Sequence, residues 1–363
     1  MNEGSITFIC RMIKRKVTIA DIARALNTNG STVSRALNNN PRISVDMRER
    51  VQKKARELGY TANAIARQLK EGQSRTIGMV VPRVNRHFFS NVIYGAESIA
   101  KKKGYHILIC QSNDIDQEQS EAIDILREQH VAGILISLAS DSHAEKVAAS
   151  FLEYGIQVVM FDRVFTGSSI DMVVNENRHA AYTATRHLLE QGYRRILHLG
   201  GPSNINVYRE RLDGYKDALL EYNIPFDETL VFTNVLTLKE GEELTRELLQ
   251  AQTSFDAICA ASDFSALGAL KVLESKNIRI PEEVGITGFA NEPFTELIHL
   301  TSVEQYGEEM GRMAVELLIN KIQGEELEVI PKKMVIPSVL IPRKSSLKKD
   351  RTVDSMDTVK NQV

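Results

Sequence analysis

The stretch VTIADIARALNTNGSTVSRAL, Val17 to Leu37, sets the reading of the whole chain. Ile19, Ile22, Ala23 and Leu26 have the spacing of one face of a short helix. Asn27, Thr28, Asn29 and Gly30 are turn residues. A second short helix is expected over Ser31 to Leu37, with Val33, Ala36 and Leu37 turned inward, and either Asn29 or Ser31 can cap its N-terminus. Two short helices joined by a tight turn form a helix-turn-helix unit, whose second helix enters the major groove of double-stranded DNA. The same pattern also suits a small helical domain that touches no DNA. Charge favours the first reading. Residues 1–76 hold 15 Lys and Arg against 6 Asp and Glu, a net of +9, whereas the whole chain is −2. A basic head on an acidic body is expected when only the head faces phosphates.

Outward from this unit, Lys14, Arg15 and Lys16 precede it, and Asn38 to Pro41 form a loop behind it. Ser44 opens a third helix over Val45 to Leu58 with Val51, Ala55 and Leu58 as its apolar stripe, and Gly59 ends it. The chain of 363 residues is 43% hydrophobic and 25% charged, the composition of an ordinary globular protein with room for several cores. No run approaches the roughly 18 apolar residues of a membrane span, so no membrane partner is expected. The apolar start precedes its basic cluster, the reverse of a secretory signal. Cys10, Cys110 and Cys259 have neither metal nor disulfide spacing. Both features point to the cytoplasm. Met12 also reads as a natural start.

From Thr76 the period changes. IGMVVP (77–82) is a continuous apolar run of the kind found in buried parallel strands. Strands at 106–110, 133–137, 157–161 and 171–174 alternate with helices, and the cycle restarts after Asn175. Helix follows strand through to a last helix over Glu304 to Ile322 and a last strand at Val339 to Ile341. This is βαβ repetition twice over, expected to give two lobes that bind ligand at the carboxyl ends of their strands. Polar and aromatic residues there are the candidates: Phe88 and Phe89 after the first strand, and Asp162 and Arg163 after the fourth. Each has a second reading, lobe packing for the phenylalanines and a structural ion pair for the charges. No GxGxxG follows a first strand, no phosphate-binding loop or nucleophile elbow is present, and the histidines lack metal spacing. Neither an enzyme, a cofactor nor a metal is expected.

The motifs T-I-A-D-I-A, S-T-V-S-R-A-L-N and E-L-G-Y-x-x-N resemble the head of the lac repressor/gal repressor (LacI/GalR) family, and the likeness continues to about Ser346. The resemblance implies a small all-α helix-turn-helix head. It also implies an α/β periplasmic-binding-protein-like body of two doubly wound parallel-sheet lobes. Its domains would be an arm (1–16), head (17–61), hinge and linker (62–75), effector domain (76–343) and disordered tail (344–363). The chain would cross between lobes near 162–176, 290–305 and 323–330. The implied function is a sequence-specific transcriptional regulator, in the first instance a repressor, whose operator affinity a small molecule switches. Gly30, Ser31 and Arg35 take the base-reading positions, and the Arg35 guanidinium can bridge O6 and N7 of guanine. Thr32, Ser34, Asn38 and Ser44 take phosphate positions, with helix capping as the alternative for the small hydroxyls. Asn63, Ala66 and Leu69 belong to a hinge that enters the minor groove, where Leu69 would wedge between base pairs.

The pattern R-x-R-x-x-G-Y is present as Arg209, Arg211, Gly214 and Tyr215, and it implies that Arg211 binds effector. Ser262, Asp263 and Asn291 match further cleft positions, with capping of the following helix as the alternative for Asp263. Ser262 stands where the family often has Asn, and Ala290 where it commonly has an acidic residue. The implied effector is a small sugar-type molecule (a sugar, sugar acid or sugar phosphate), and losing that carboxylate while keeping Arg163 and Arg211 favours the anionic members of that class. A purine corepressor stacked on Phe88 or Phe89 is the alternative. A solute receptor without DNA work fits the basic head poorly. The tail lacks the leucine heptads of a tetramerising coil, so a homodimer on a pseudo-palindromic operator is expected.

Overall fold

The computed structural model describes residues 17–60, 74–142, 144–165, 167, 169–324 and 331–348. The expected arm, the hinge residues Asn63, Ala66 and Leu69, and the tail after Lys348 lie outside the described residues. The chain divides into two units, Met1–Gln73 and Ser74–Val363.

In the first unit, Thr18 and Asp21 close a capping box at the start of α1 (Ile19–Ala25), each side chain accepting from the other's backbone N–H. Helices α2 (Gly30–Leu37) and α3 (Val45–Leu58) complete a three-helix head around Ile22, Ala23, Val33, Ala36, Val51 and Ala55. Leu58, expected on the inner stripe of α3, is 39% exposed. It sits in the last turn, just before Gly59 ends the helix with φ of +70°, a conformation that favours glycine.

The second unit begins with β1 (Thr76–Val81), α4 (His87–Lys102), β2 (His106–Gln111), α5 (Asp116–Glu128), β3 (Gly133–Ile136), α6 (Ala144–Tyr154), β4 (Gln157–Phe161) and β5 (Asp171–Asn175). It continues with α7 (Asn177–Glu190), β6 (Ile196–Leu199), α8 (Asn206–Glu221), a 3-10 turn (Glu228–Leu230), β7 (Val231–Phe232), α9 (Leu238–Gln250), β8 (Ala257–Ala260), α10 (Asp263–Ser275) and β9 (Gly285–Phe289). It ends with α11 (Phe294–Leu297), β10 (Thr301–Glu304), α12 (Gly307–Gln323), β11 (Lys333–Ile336) and β12 (Val339–Ile341). Two six-stranded sheets result, in the orders β11-β5-β4-β3-β1-β2 (lobe 1) and β12-β10-β9-β8-β6-β7 (lobe 2). The first is parallel throughout; in the second, β12 runs antiparallel to β10. Helices cover both faces of each sheet, α4 and α12 against α5 and α6 in lobe 1, and α9 and α10 against α7 and α8 in lobe 2. Among the described residues, no helix is long and apolar enough to cross a membrane.

Among the described residues the backbone passes between lobes three times, after Asn175, after Glu304 and after Ile336. The first two passages fall at the ends of the expected segments 162–176 and 290–305. The third is not at 323–330. Helix α12 packs on lobe 1, and β11 pairs there with β5 before the chain leaves. One side chain ties the three passages together: Asn175 Nδ2 donates to Gln305 O at 2.9 Å and to Ile336 O at 3.4 Å. Residues 344–348, expected to open the disordered tail, are docked on lobe 2. Ser345 Oγ accepts from the Thr301 N–H at 2.9 Å and donates to Ile286 O at 2.7 Å, and both serines at 345 and 346 are buried.

Candidate functional site

Helix α2 presents the first set of candidates. Asn29 caps it, accepting from the Thr32 N–H at 2.8 Å, and Ser31 donates its hydroxyl to the same Asn29 oxygen at 2.7 Å. Gly30 is the first helical residue, and a Cβ there would meet Ile19 Cγ2 at an ordinary 3.6 Å. Thr32 and Ser34 are half-buried, whereas Ser31, Arg35 and Asn38 are exposed. Asn38 Nδ2 donates to Ser34 O at 2.7 Å. Ser44 caps α3, its Oγ facing the Met47 N–H at 3.4 Å, which favours the capping alternative for this residue. The Arg35 side chain makes no hydrogen bond or ion pair among the described residues, so its five donors remain available.

The second set surrounds a cavity of about 450 Å³ between the carboxyl ends of the two sheets, the size of a small-molecule site. Phe88, Phe89, Asp162, Arg163, Arg211 and Ser262 all line it. Phe88 and Phe89 meet edge to face, with centroids 5.2 Å apart, and also belong to the lobe 1 core. Asp162 leaves β4 with φ of +58°, which aspartate tolerates, while its N–H stays in the sheet by donating to Val173 O at 3.0 Å. Burial pushes the Asp162 carboxyl up to about 6, against the pull of Arg163 and Arg211. Arg163 is bonded to Asp114, which Arg83 Nε also reaches at 2.7 Å. Burial acts to raise the Asp114 carboxyl, but the two guanidiniums outweigh it and hold it below the usual range.

Arg211 is buried in the wall facing this group. Its Nε donates to Asn177 Oδ1 at 3.0 Å and its Nη1 to Ala261 O at 2.9 Å, while its flat face lies 3.6 Å from the Phe289 ring centroid. Burial pulls its pKa below the ordinary guanidinium value. With Nε and Nη1 engaged, Nη2 is the nitrogen left for a ligand.

Asp263 and Asn291 do not line the cavity. Ser302 Oγ donates to Asp263 at 2.6 Å and the Glu292 N–H donates to it at 2.8 Å. Asn291 donates to Glu304 at 2.8 Å and accepts from Arg343 at 2.9 Å. Both residues hold the turn after β9 instead of facing a ligand. That turn also corrects the expectation of a missing carboxylate. Ala290 and Asn291 have φ of +107° and +47°, a strained pair for non-glycine residues, and the turn brings Glu292 to the cavity wall. The lining holds five carboxylates (Asp114, Asp116, Asp162, Glu240 and Glu292) against four guanidiniums (Arg83, Arg86, Arg163 and Arg211). This nearly balanced wall removes the reason for preferring an anionic ligand.

Sequence reading missed Tyr208, Phe264, Arg86, Glu240 and Glu292. Tyr208 precedes Arg211 by one turn of α8, so its place could have been read from that pattern. Arg86 could not, because it reaches from lobe 1 to lie 4.5 Å from the Phe264 ring centroid in lobe 2. A second bridge joins the lobes where Arg209 is bonded to Asp141 and the Asp141 N–H donates to Asn204 O at 2.8 Å.

Asp263 gives the unit a pH signature. Burial, partly opposed by the Ser302 and Glu292 donors, pushes its carboxyl up to about 7, against about 4 in an unfolded chain. The native state therefore keeps a proton that the unfolded state releases. This stabilisation is full below about pH 4 and is lost as pH rises through about 7. Asp263→Asn is expected to flatten the fall in melting temperature between about pH 5 and 7.5. A slope as steep as the wild type's would remove Asp263 as its source.

Residues 74–346 match the family described as periplasmic binding proteins and sugar binding domain of LacI family, and residues 18–63 match the bacterial regulatory proteins, lacI family. The ribose operon repressor of Halalkalibacterium halodurans is 29% identical over 325 residues, covering 88% of this chain and 96% of that protein. The transcriptional repressor PurR of Vibrio atlanticus is 32% identical over 313 residues, covering 86% and 93%. Among solved structures, a complex of the transcriptional regulator CelR with cellobiose has a TM-score of 0.69 at 30% identity, covering 91% of this chain and all of that one.

Proposed function

The chain belongs to the lacI family of bacterial regulatory proteins, and from that premise we propose a repressor whose hold on DNA is switched by a neutral, hydroxyl-rich sugar bound between its lobes. The balanced wall of the cavity carries this reading. Sugar hydroxyls both donate and accept, and each Arg–carboxylate pair offers both roles within a few ångströms. An anionic ligand would meet Asp114, Asp162 and Glu292 as well as the arginines, and repulsion from the carboxylates would offset much of the gain. The alternative purine would stack on Phe88 or Phe89, and both rings are largely taken up in the core. CelR bound to cellobiose offers a precedent for a sugar in this fold. The site is read as one that binds its ligand and does not turn it over.

Coupling to DNA rests on differential affinity. A sugar that prefers one lobe arrangement shifts the population toward it, and an operator that prefers the other is released. A homodimer supplies one head per half-site of a pseudo-palindrome. Operator binding measured by fluorescence anisotropy, with and without a panel of neutral sugars, sugar acids and purines, tests the reading. A response to sugar acids or purines alone would overturn it.

For the head, Arg35 is proposed as the principal base reader because it is exposed and unpaired among the described residues. Arg35→Ala is expected to cost about 1–3 kcal/mol of specific operator binding while leaving salt-dependent binding to random duplex nearly unchanged. An equal loss on both duplexes would make Arg35 a phosphate contact.

A further inference from the structure

We infer that the cavity has two sugar subsites, so that the effector is a disaccharide or a longer glycan; this rests on the sugar reading above. The same combination of groups occurs twice along its wall. In the first, Arg163 and Arg211 lie 5.9 and 5.5 Å from the centroid of the half-buried Tyr208 ring, beside Asp114 and Asp162. In the second, Arg86 lies over the half-buried Phe264 ring, and its charge acts on Glu240 and Glu292. Each combination has an aromatic ring, two carboxylates and either two guanidiniums (the first) or one (the second), which is what one hydroxylated ring needs: an apolar surface for its C–H face and charged acceptors and donors for its edge. No hydrogen bond or ion pair links the two combinations among the described residues, and in this proposal one six-membered ring occupies each.

Each combination is also split between the lobes. Asp114, Asp162 and Arg163 come from lobe 1 and Tyr208 and Arg211 from lobe 2, whereas Arg86 comes from lobe 1 and Phe264, Glu240 and Glu292 from lobe 2. A second ring seated on Phe264 moves the Arg86 guanidinium off that face toward Glu240 and Glu292. It thereby rearranges a contact between lobes that the first ring does not reach. The second ring adds affinity and also adds leverage on the lobe arrangement.

The test uses the full-length protein and calorimetric titration with glucose, galactose and xylose, and with maltose, cellobiose, lactose and xylobiose. At least one disaccharide is expected to bind about tenfold tighter than its own monosaccharide, the size of one aromatic contact. Phe264→Ala should remove that advantage by weakening disaccharide binding about tenfold more than monosaccharide binding. Glu292→Gln, which keeps side-chain volume, should reduce the advantage in the same selective way, and it serves if the alanine variant does not fold. Disaccharides that bind no tighter than their monosaccharides, or variants that weaken both equally, overturn the second subsite and leave the sugar reading standing. If no sugar of either size binds, both fall.

Discussion

Arg211→Ala is expected to lower effector affinity on the order of a hundredfold to a thousandfold, the usual effect of truncating a buried, hydrogen-bonded charge at an interface. The guanidinium is fixed on three sides, by Asn177, by the Ala261 carbonyl and by the Phe289 face, so its remaining donor is oriented before any ligand arrives. Alanine removes that donor and leaves Asn177 Oδ1 and Ala261 O without theirs. It also removes one of the two cations that oppose the effect of burial on Asp162, so that carboxyl should move further above about 6. Lysine keeps the charge but neither the flat face nor the fork, and it should recover only a small part of the affinity. Operator binding without effector should be unchanged, because the substitution lies in the second unit. The measurement is effector titration followed by operator release. A variant that releases DNA at the wild-type effector concentration would remove Arg211 from the site.

Gly311→Ala is expected to destabilise the effector-binding unit by about 3 kcal/mol or more. A Cβ on Gly311 of α12 would stand 1.9 Å from Val92 O of α4, and one on Gly95 of α4 would stand 2.0 Å from Glu308 O. The two helices meet backbone to backbone, so no flexible side chain can yield. Alanine favours the helix itself by about 1 kcal/mol over glycine, far less than the cost of prising the helices apart. Chemical denaturation followed by circular dichroism would show a lower midpoint. Gly30→Ala, whose nearest contact is an ordinary 3.6 Å, should change stability little. A midpoint unchanged in Gly311→Ala would mean that α4 and α12 can separate without loss.

The head was legible because its signals are local. Asn29, Ser44 and Gly59 are caps and stops that act over three or four residues, and the structure uses all three. Most strands of the body were legible as apolar runs. Strands β10 and β11 were not, because TSVE and KMVI are four residues each, begin on a polar residue and belong to no long apolar pattern. Missing β11 is what misplaced the third passage between lobes. At the cavity, sequence reading found residues that sit just after strand ends, such as Asp162, Arg163 and Ser262. It assigned Asp263 and Asn291 to the ligand because polar residues there look available. Their partners, Ser302, Glu304 and Arg343, lie on segments that only the folded sheet brings near. Glu292 was overlooked because two consecutive positive φ angles moved the carboxylate two residues along from where a regular turn would put it.

Three passages of the backbone between lobes also govern how the protein is made. Neither lobe is a continuous piece of chain. Lobe 1 takes its outer strand from residues 333–336 and one of its packing helices from residues 307–323. Lobe 2 takes its last strand from residues 339–341. A nascent chain leaving the ribosome therefore carries β1 to β5 for more than a hundred residues before α12 arrives to cover them. Such distant pairings fold slowly and leave apolar surface open during synthesis. The head, whose described contacts lie within residues 17–60, can close long before. A translating cell thus holds a finished DNA reader attached to an unfinished sensor, and unregulated binding by truncated products is the hazard this topology creates.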